Sequence, residues 1–165
     1  MLNAIGLKNP GIDEFERQIL PALEDSIKNT MIIANINGKT IEEYEQIAQR
    51  ANDWHKIDAI ELNISCPNVK EGRMAFGTQP KTAAEITSRI KKILHTKLLV
   101  VKLSPNVVDI CAVAQVVEDA GADALSLTNT ILGMRIDIHS RRPILGNIFG
   151  GLSGSAVKPI ALCIV

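Results

Sequence analysis

Ile57-Asp58-Ala59-Ile60-Glu61-Leu62 runs straight into Asn63-Ile64-Ser65-Cys66-Pro67-Asn68, and the fold turns on how this stretch is read. The first six residues have the apolar bias of a short strand. The next six set two carboxamides, a hydroxyl and a thiol beside a proline that stops regular structure. A strand that ends in such a cluster marks a place where chemistry could be done.

The segments on either side repeat a strand-then-helix rhythm. Met31 to Ile36 is strand-like, and Thr40-Ile41-Glu42-Glu43 has the form of a capping box opening an amphipathic helix to about Trp54. After the strand ending at Asn63 comes a polar loop with Gly72 and Gly77, then a helix over Thr82 to Leu94. Lys97 to Leu103 is an apolar strand, Val107 to Ala120 a helix closed by Gly121, and Ala122 to Thr128 another strand. Upstream, Gly11 opens a helix reaching about Lys28, with Pro21 as a kink. Downstream, an insertion over 131–147 precedes Gly150-Gly151-Leu152-Ser153-Gly154 and a last helix.

Apolar strands alternating with helices predict a parallel sheet covered by helices. The fold class is therefore α/β. An open doubly wound sheet fits the same rhythm, but no glycine-rich nucleotide turn of either common pattern is present, which favours a barrel. A closed (β/α)8 TIM barrel takes about 250 residues. The expectation is thus one domain over residues 1–165, a partial barrel of parallel strands alternating with helices, truncated at both ends. Open sheet edges and an uncovered apolar face would follow.

Composition narrows the partners. Eighteen basic residues balance eighteen acidic ones, and aromatics are only 3%, which argues against nucleic acid or an anionic membrane. No apolar run approaches the roughly 20 residues of a membrane span, and the start of the chain lacks a signal-peptide pattern. Three cysteines without paired spacing fit a reducing cytoplasm.

In a barrel, catalytic groups gather at the C-terminal ends of the strands. Here those ends carry Asn35, the cluster from Asn63 to Asn68, Lys102 with Ser104, and Asn129 with Thr130, with Asn3 as a fifth if a strand ends near residue 5. Carboxamides can both donate to and accept from a planar heterocycle. A lysine at the base of a pocket supplies positive charge, and a loop thiol can move a proton if its pKa falls from about 8.5. Each residue alone has a plainer reading: a turn asparagine, a snorkelling lysine, or a glycine run that only starts a helix. Cys111 and Cys163 read as small buried hydrophobes on helices, and His55, His95 and His139 as surface residues without metal-ligand spacing. The basic face Ser88 to Lys92 reads as a solvated helix face. Function gains weight because polar residues recur at successive strand ends.

Five segments together resemble dihydroorotate dehydrogenase, most closely its class 1B catalytic subunit. They are Asn3 to Gly11, Asn63 to Lys70, Val101 to Asn106, Asn129 to Met134, and Gly150 to Gly154 with Lys158-Pro159. The resemblance implies a flavin-dependent barrel that oxidises dihydroorotate to orotate in pyrimidine (UMP) biosynthesis. It implies Cys66 as the base for the C5 proton while a hydride passes from C6 to FMN. Asn3, Ala4, Ile5, Gly6, Leu7, Asn63, Asn129 and Thr130 would bind substrate; Asn35, Asn63, Lys102, Thr128 and Gly154 would bind FMN. The segment from Cys66 to about Gly77 would be a lid. The partner would be a subunit carrying FAD and an iron–sulfur cluster, with NAD+ as final acceptor, in a homodimer or heterotetramer. Thr128, Arg73 and Ser155 depart from the family's usual isoleucine, glycine and proline. A dihydropyrimidine dehydrogenase-type flavoprotein and a non-catalytic barrel remnant are the competing readings.

Overall fold

The computed structural model describes residues 1–65 and 76–165. Its elements begin with β1 (Leu2–Asn3), α1 (Ile12–Glu14), a π-helical turn (Phe15–Ile19) and α2 (Leu20–Ser26). The central part is β2 (Ile33–Ile36), α3 (Ile41–Ala51), β3 (Ala59–Asn63), α4 (Pro80–Ile93), β4 (Leu98–Lys102), α5 (Ile110–Asp119) and β5 (Ala124–Ser126). There follow β6 (Ile131–Met134), β7 (Ile136–Asp137), β8 (Arg142–Pro143), β9 (Phe149–Leu152), a 3-10 turn (Ser155–Val157) and α6 (Lys158–Ile164).

Strands β2, β3, β4 and β5 pair in sequence order, all parallel. Parallel neighbours need crossovers, and α3, α4 and α5 supply them. This is the expected β/α repeat, an open arc of a barrel. The register fixes what each face holds: Asn35 pairs with Glu61, Asn63 with Lys102, and Lys102 with Ser126. Because side chains alternate along a strand, those residues share one face. Ile60, Leu62, Leu99 and Val101 occupy the other and are fully buried. They join Tyr44, Ala48 and Ala51 of α3, Ala83, Ile86 and Ile90 of α4, and Val113 and Val117 of α5 in one core. Each large aliphatic side chain buried this way contributes about 1.5–3 kcal/mol.

The helix starts match the sequence, with shifts. The Thr40 hydroxyl accepts from the Glu43 N–H at 3.2 Å, while the Glu43 carboxylate accepts from the Lys39 N–H, one residue before the partner that a capping box uses. Asp109 caps α5 by accepting from the Ala112 N–H at 3.0 Å. That moves the helix start from the expected Val107 to Ile110. Pro21 lies inside one unbroken helical stretch from Ile12 to Ser26, and the irregularity sits just before it as the π turn.

Four expectations are corrected. The insertion over 131–147 contains β6 and the two-stranded β7–β8 ribbon. With β1 and β9, β6 forms a separate antiparallel sheet in the order β1-β9-β6. Asn3 therefore belongs to that sheet and not to a parallel strand end. Cys111 and Cys163 are exposed, because α5 buries Val113 and Val117 on another side and α6 buries nothing. The basic face of α4 is a set of clamps: the Arg89 guanidinium donates twice to the Glu45 carboxylate on α3, at 2.7 and 3.0 Å, and Lys91 reaches Asp123 at 2.6 Å.

Asp123 ties the sheet to α4, since its carboxylate also accepts from the Leu99 N–H at 2.7 Å. That backbone hydrogen bond, then the bond from Lys91, holds its pKa below the ordinary aspartate value. A carboxyl with a lowered folded pKa stabilises the fold above its ordinary pKa, and the contribution disappears as pH falls through the lowered one. Asp123→Ala should cost about 1–3 kcal/mol at neutral pH by leaving the Leu99 N–H unpartnered. The gap between variant and parent should close on acidification below pH 4. Urea unfolding at several pH values measures both.

Candidate active site at the ends of the parallel strands

Polar side chains at the ends of β2, β3, β4 and the segment after β5 join in one hydrogen-bonded chain. It begins at the Asn129 carboxamide, whose Nδ2 donates to Ser65 Oγ at 2.7 Å. Ser65 Oγ in turn donates to Asn63 Oδ1 at 2.7 Å, and the Ser65 N–H reaches the same oxygen at 3.3 Å. Asn63 Nδ2 donates to Asn35 Oδ1 at 3.4 Å, and Asn35 Nδ2 donates to the Glu61 carboxylate. Lys102 Nζ lies 3.5 Å from Glu61 Oε2, closing the series with an ion pair. Three of the four parallel strands and the loop after the last are thereby linked.

Burial gives the chain its character. Asn63 and Ser65 are only 3% exposed, so their polar atoms must be satisfied internally, and each is. Tyr44 on α3 donates from its hydroxyl to the Asn63 carbonyl at 2.7 Å, fixing the strand end from behind. Burial is the largest influence on Glu61 and pushes its pKa up. Hydrogen bonds from Ser126 and Asn35, with the charge of Lys102, outweigh it, so the net displacement is downward. The site thus holds an ionised carboxylate against a lysine among neutral amides.

Asn106 and a pair of glycines bring the second sheet to this site. The Asn106 carboxamide donates to the Thr130 carbonyl at 3.0 Å and accepts from the Leu132 N–H at 2.8 Å, which sets where β6 begins. A Cβ at Gly151 would collide with the Thr130 side chain, and one at Gly150 with the Asn3 carbonyl. The run from Gly150 is accordingly neither a helix entry nor a demonstrated ligand contact at these two positions. They lie in β9 and let it pack against β1 and Thr130. Gly154, at φ +113°, then turns the chain into the 3-10 segment.

Of the expected site residues, the structure joins Asn35, Asn63, Lys102 and Asn129 in one network. Thr130 follows directly, its N–H donating to Asn129 Oδ1 at 2.7 Å, and Thr128 is half-buried in the same segment. Asn3 sits across from Gly151 in the antiparallel sheet. Ala4, Ile5, Gly6 and Leu7 form a loop in which Ile5 is 68% exposed, and Leu7 lines a mainly apolar cavity of about 540 Å³ that Asn35 also borders. Cys66 and the lid lie outside the described residues, apart from the lid's last two, Phe76 and Gly77. Gly77 donates its N–H to the Ile64 carbonyl at 3.0 Å. Ser65 was part of the expected cluster without a role of its own; missed from sequence were Glu61, Ser126 and Asn106. Glu61 alone gave a signal, a charge within an otherwise apolar strand. His55, His95 and His139 are exposed as expected, and no metal-binding cluster occurs among the described residues. No described helix is long and apolar enough to cross a membrane.

Parallel strands β2 to β5 with their crossover helices define a protein of the barrel class, and its strand ends gather amides, one cation and one carboxylate. A likeness to the carboxyl transferase domain of Rhizobium etli pyruvate carboxylase agrees on fold alone: TM-score 0.51 and 13% identity over 71% of this chain and 20% of that one. The family model described as dihydroorotate dehydrogenase matches residues 1–165, and the chain belongs to that family. Among its relatives are catalytic subunits named dihydroorotate dehydrogenase B (NAD(+)). The one from Brachyspira hyodysenteriae is 54% identical over the whole chain and 54% of its own length. That from Bacteroides thetaiotaomicron is 53% identical over the whole chain and 54% of its length, and that from Shouchella clausii 52% over 98% and 52%. The chain spans about half the length of the curated relatives it matches.

Proposed function

We propose that residues 1–165 act as one domain of a cytoplasmic dihydroorotate dehydrogenase of class 1B type, in the pathway to UMP. The observation that carries the reading is the unbroken series Asn129–Ser65–Asn63–Asn35–Glu61–Lys102 in a member of this family. The donor set suits a flavin ring. Its imide edge needs neighbouring donors and acceptors, which Asn35 and Asn63 offer, and Lys102 offers a positive charge to its oxygens. Thr128 and Gly154 would add contacts to FMN.

FMN, when bound, takes up the hydride that leaves C6 of dihydroorotate. The chain's own residues do the rest. Cys66 removes the C5 proton as the C5–C6 double bond forms, and Asn63, Asn129 and Thr130 hold the substrate's ring and carboxylate. Asn3 and the loop from Ala4 to Leu7 close one side. Electrons would then leave to a partner subunit and on to NAD+: the relatives' printed names, which call them catalytic subunits of an NAD(+) enzyme, support the partner and the acceptor, and FAD and an iron–sulfur cluster in that partner are part of the proposal.

The purified protein should be yellow, with flavin absorbance that bleaches anaerobically on adding dihydroorotate. A colourless protein that takes up no added FMN would defeat the proposal. Equal bleaching by dihydrouracil would instead favour a dihydropyrimidine dehydrogenase-type activity.

A further inference from the structure

We propose that Glu61 is a positioning residue that fixes which way the carboxamides of Asn35 and Asn63 point, and so which edge each offers to a ligand. The two ends of a carboxamide are nearly the same size, so shape alone does not choose between its flipped orientations. Glu61 chooses because an ionised carboxylate only accepts hydrogen bonds. Asn35 must therefore turn its Nδ2 toward Glu61, which leaves Oδ1 for Asn63. Asn63 must present Nδ2 to that oxygen, which leaves its own Oδ1 to accept from the Ser65 hydroxyl and N–H. With its proton committed, Ser65 Oγ accepts from Asn129, whose Oδ1 takes the Thr130 N–H. From Ser65 through Asn63 and Asn35 the bonds run in one direction toward the acceptor-only Glu61, while Asn129 is held separately by the donor-only Thr130 N–H.

The surroundings keep Glu61 ionised. Lys102 is the charged side chain facing Glu61, from β4; Asn35 from β2 and Ser126 from β5 donate to it and carry no charge. Glu61 and Lys102 side chains are 18% and 26% exposed, so water competes only partly for either. The proposal rests on the flavin and pyrimidine reading only for what the amides are offered to. The direction itself belongs to the chain and is testable without ligand.

The test is nitrogen-15 NMR of the side-chain amides, assigned by their loss in Asn35→Asp and Asn63→Asp. In the parent protein both amides should shift together as Glu61 is titrated, with a midpoint below the usual glutamate range. In Glu61→Gln the shift should vanish and Asn35 and Asn63 should each show two sets of signals, while the backbone spectrum stays folded. FMN affinity should fall about tenfold, the scale of one or two ordinary hydrogen bonds. Single, unmoved Asn35 and Asn63 signals in Glu61→Gln would overturn the proposal. If that variant does not fold, parental Asn63 signals that ignore the Glu61 titration would overturn it equally. Absence of FMN binding with the amide coupling intact would sink the functional reading and leave this one standing.

Discussion

Replacing Cys66 with alanine is expected to slow dihydroorotate oxidation by roughly 100- to 10,000-fold with FMN still bound, the range for loss of a general base. The expectation follows from the residues that precede position 66. Ser65 immediately before it is buried and bonded to both Asn63 and Asn129, so the strand end delivers the chain to the amide network. The described cysteines, Cys111 and Cys163, are exposed on helices and take no part in the amide network. Glu61 is a poor replacement for the thiol, because despite burial, hydrogen bonds from Ser126 and Asn35 and the charge of Lys102 hold its pKa below the ordinary glutamate value and so weaken it as a base. Anaerobic flavin bleaching should therefore retain its amplitude in Cys66→Ala but lose most of its rate. The parental rate should rise with pH as the thiol ionises, and that rise should be missing from the variant. Near-parental bleaching in Cys66→Ala would remove the thiol from the proton step.

Much of the parallel sheet was legible because its determinants are local. Apolar runs at 31–36, 57–62 and 97–103, each followed in turn by a helical stretch, need only neighbouring residues to be recognised. The strand-end positions of Asn35, Asn63 and Lys102 follow from where those runs stop. The antiparallel sheet was not legible, since pairing Leu2 with Leu152 joins residues that no local period connects. Glu61 was overlooked, and Ser65 was seen only as part of its cluster, for a related reason. Their importance lies in distant partners, Asn35, Lys102 and Ser126 for the one and Asn129 for the other. Exposure of Cys111 depended on which side of α5 meets the sheet. Composition favours burial for cysteine, but the helix phase overrules it.

That same two-faced sheet sets the second large effect. Leu62→Ala should destabilise the 165-residue chain by about 2–5 kcal/mol, whereas Leu98→Ala should change it by no more than about 0.5 kcal/mol. Leu62 is fully buried between β3 and the helices, while Leu98, beside Ala59 on the polar face, is 49% exposed. Truncating Leu62 removes its transfer energy and leaves a cavity among Ile60, Val101 and the α3 and α4 side chains, whose strands and helices cannot all move inward. Truncating Leu98 removes atoms already in contact with water. Against a total stability of roughly 5–15 kcal/mol, the first change brings the chain close to unfolding at ordinary temperature. Chemical denaturation of the two variants beside the parent measures the contrast. Equal costs at both positions would mean that the Glu61 and Lys102 face is packed as densely as the helical one. The strand ends would then have no open side from which a substrate could reach Asn63 and Asn129.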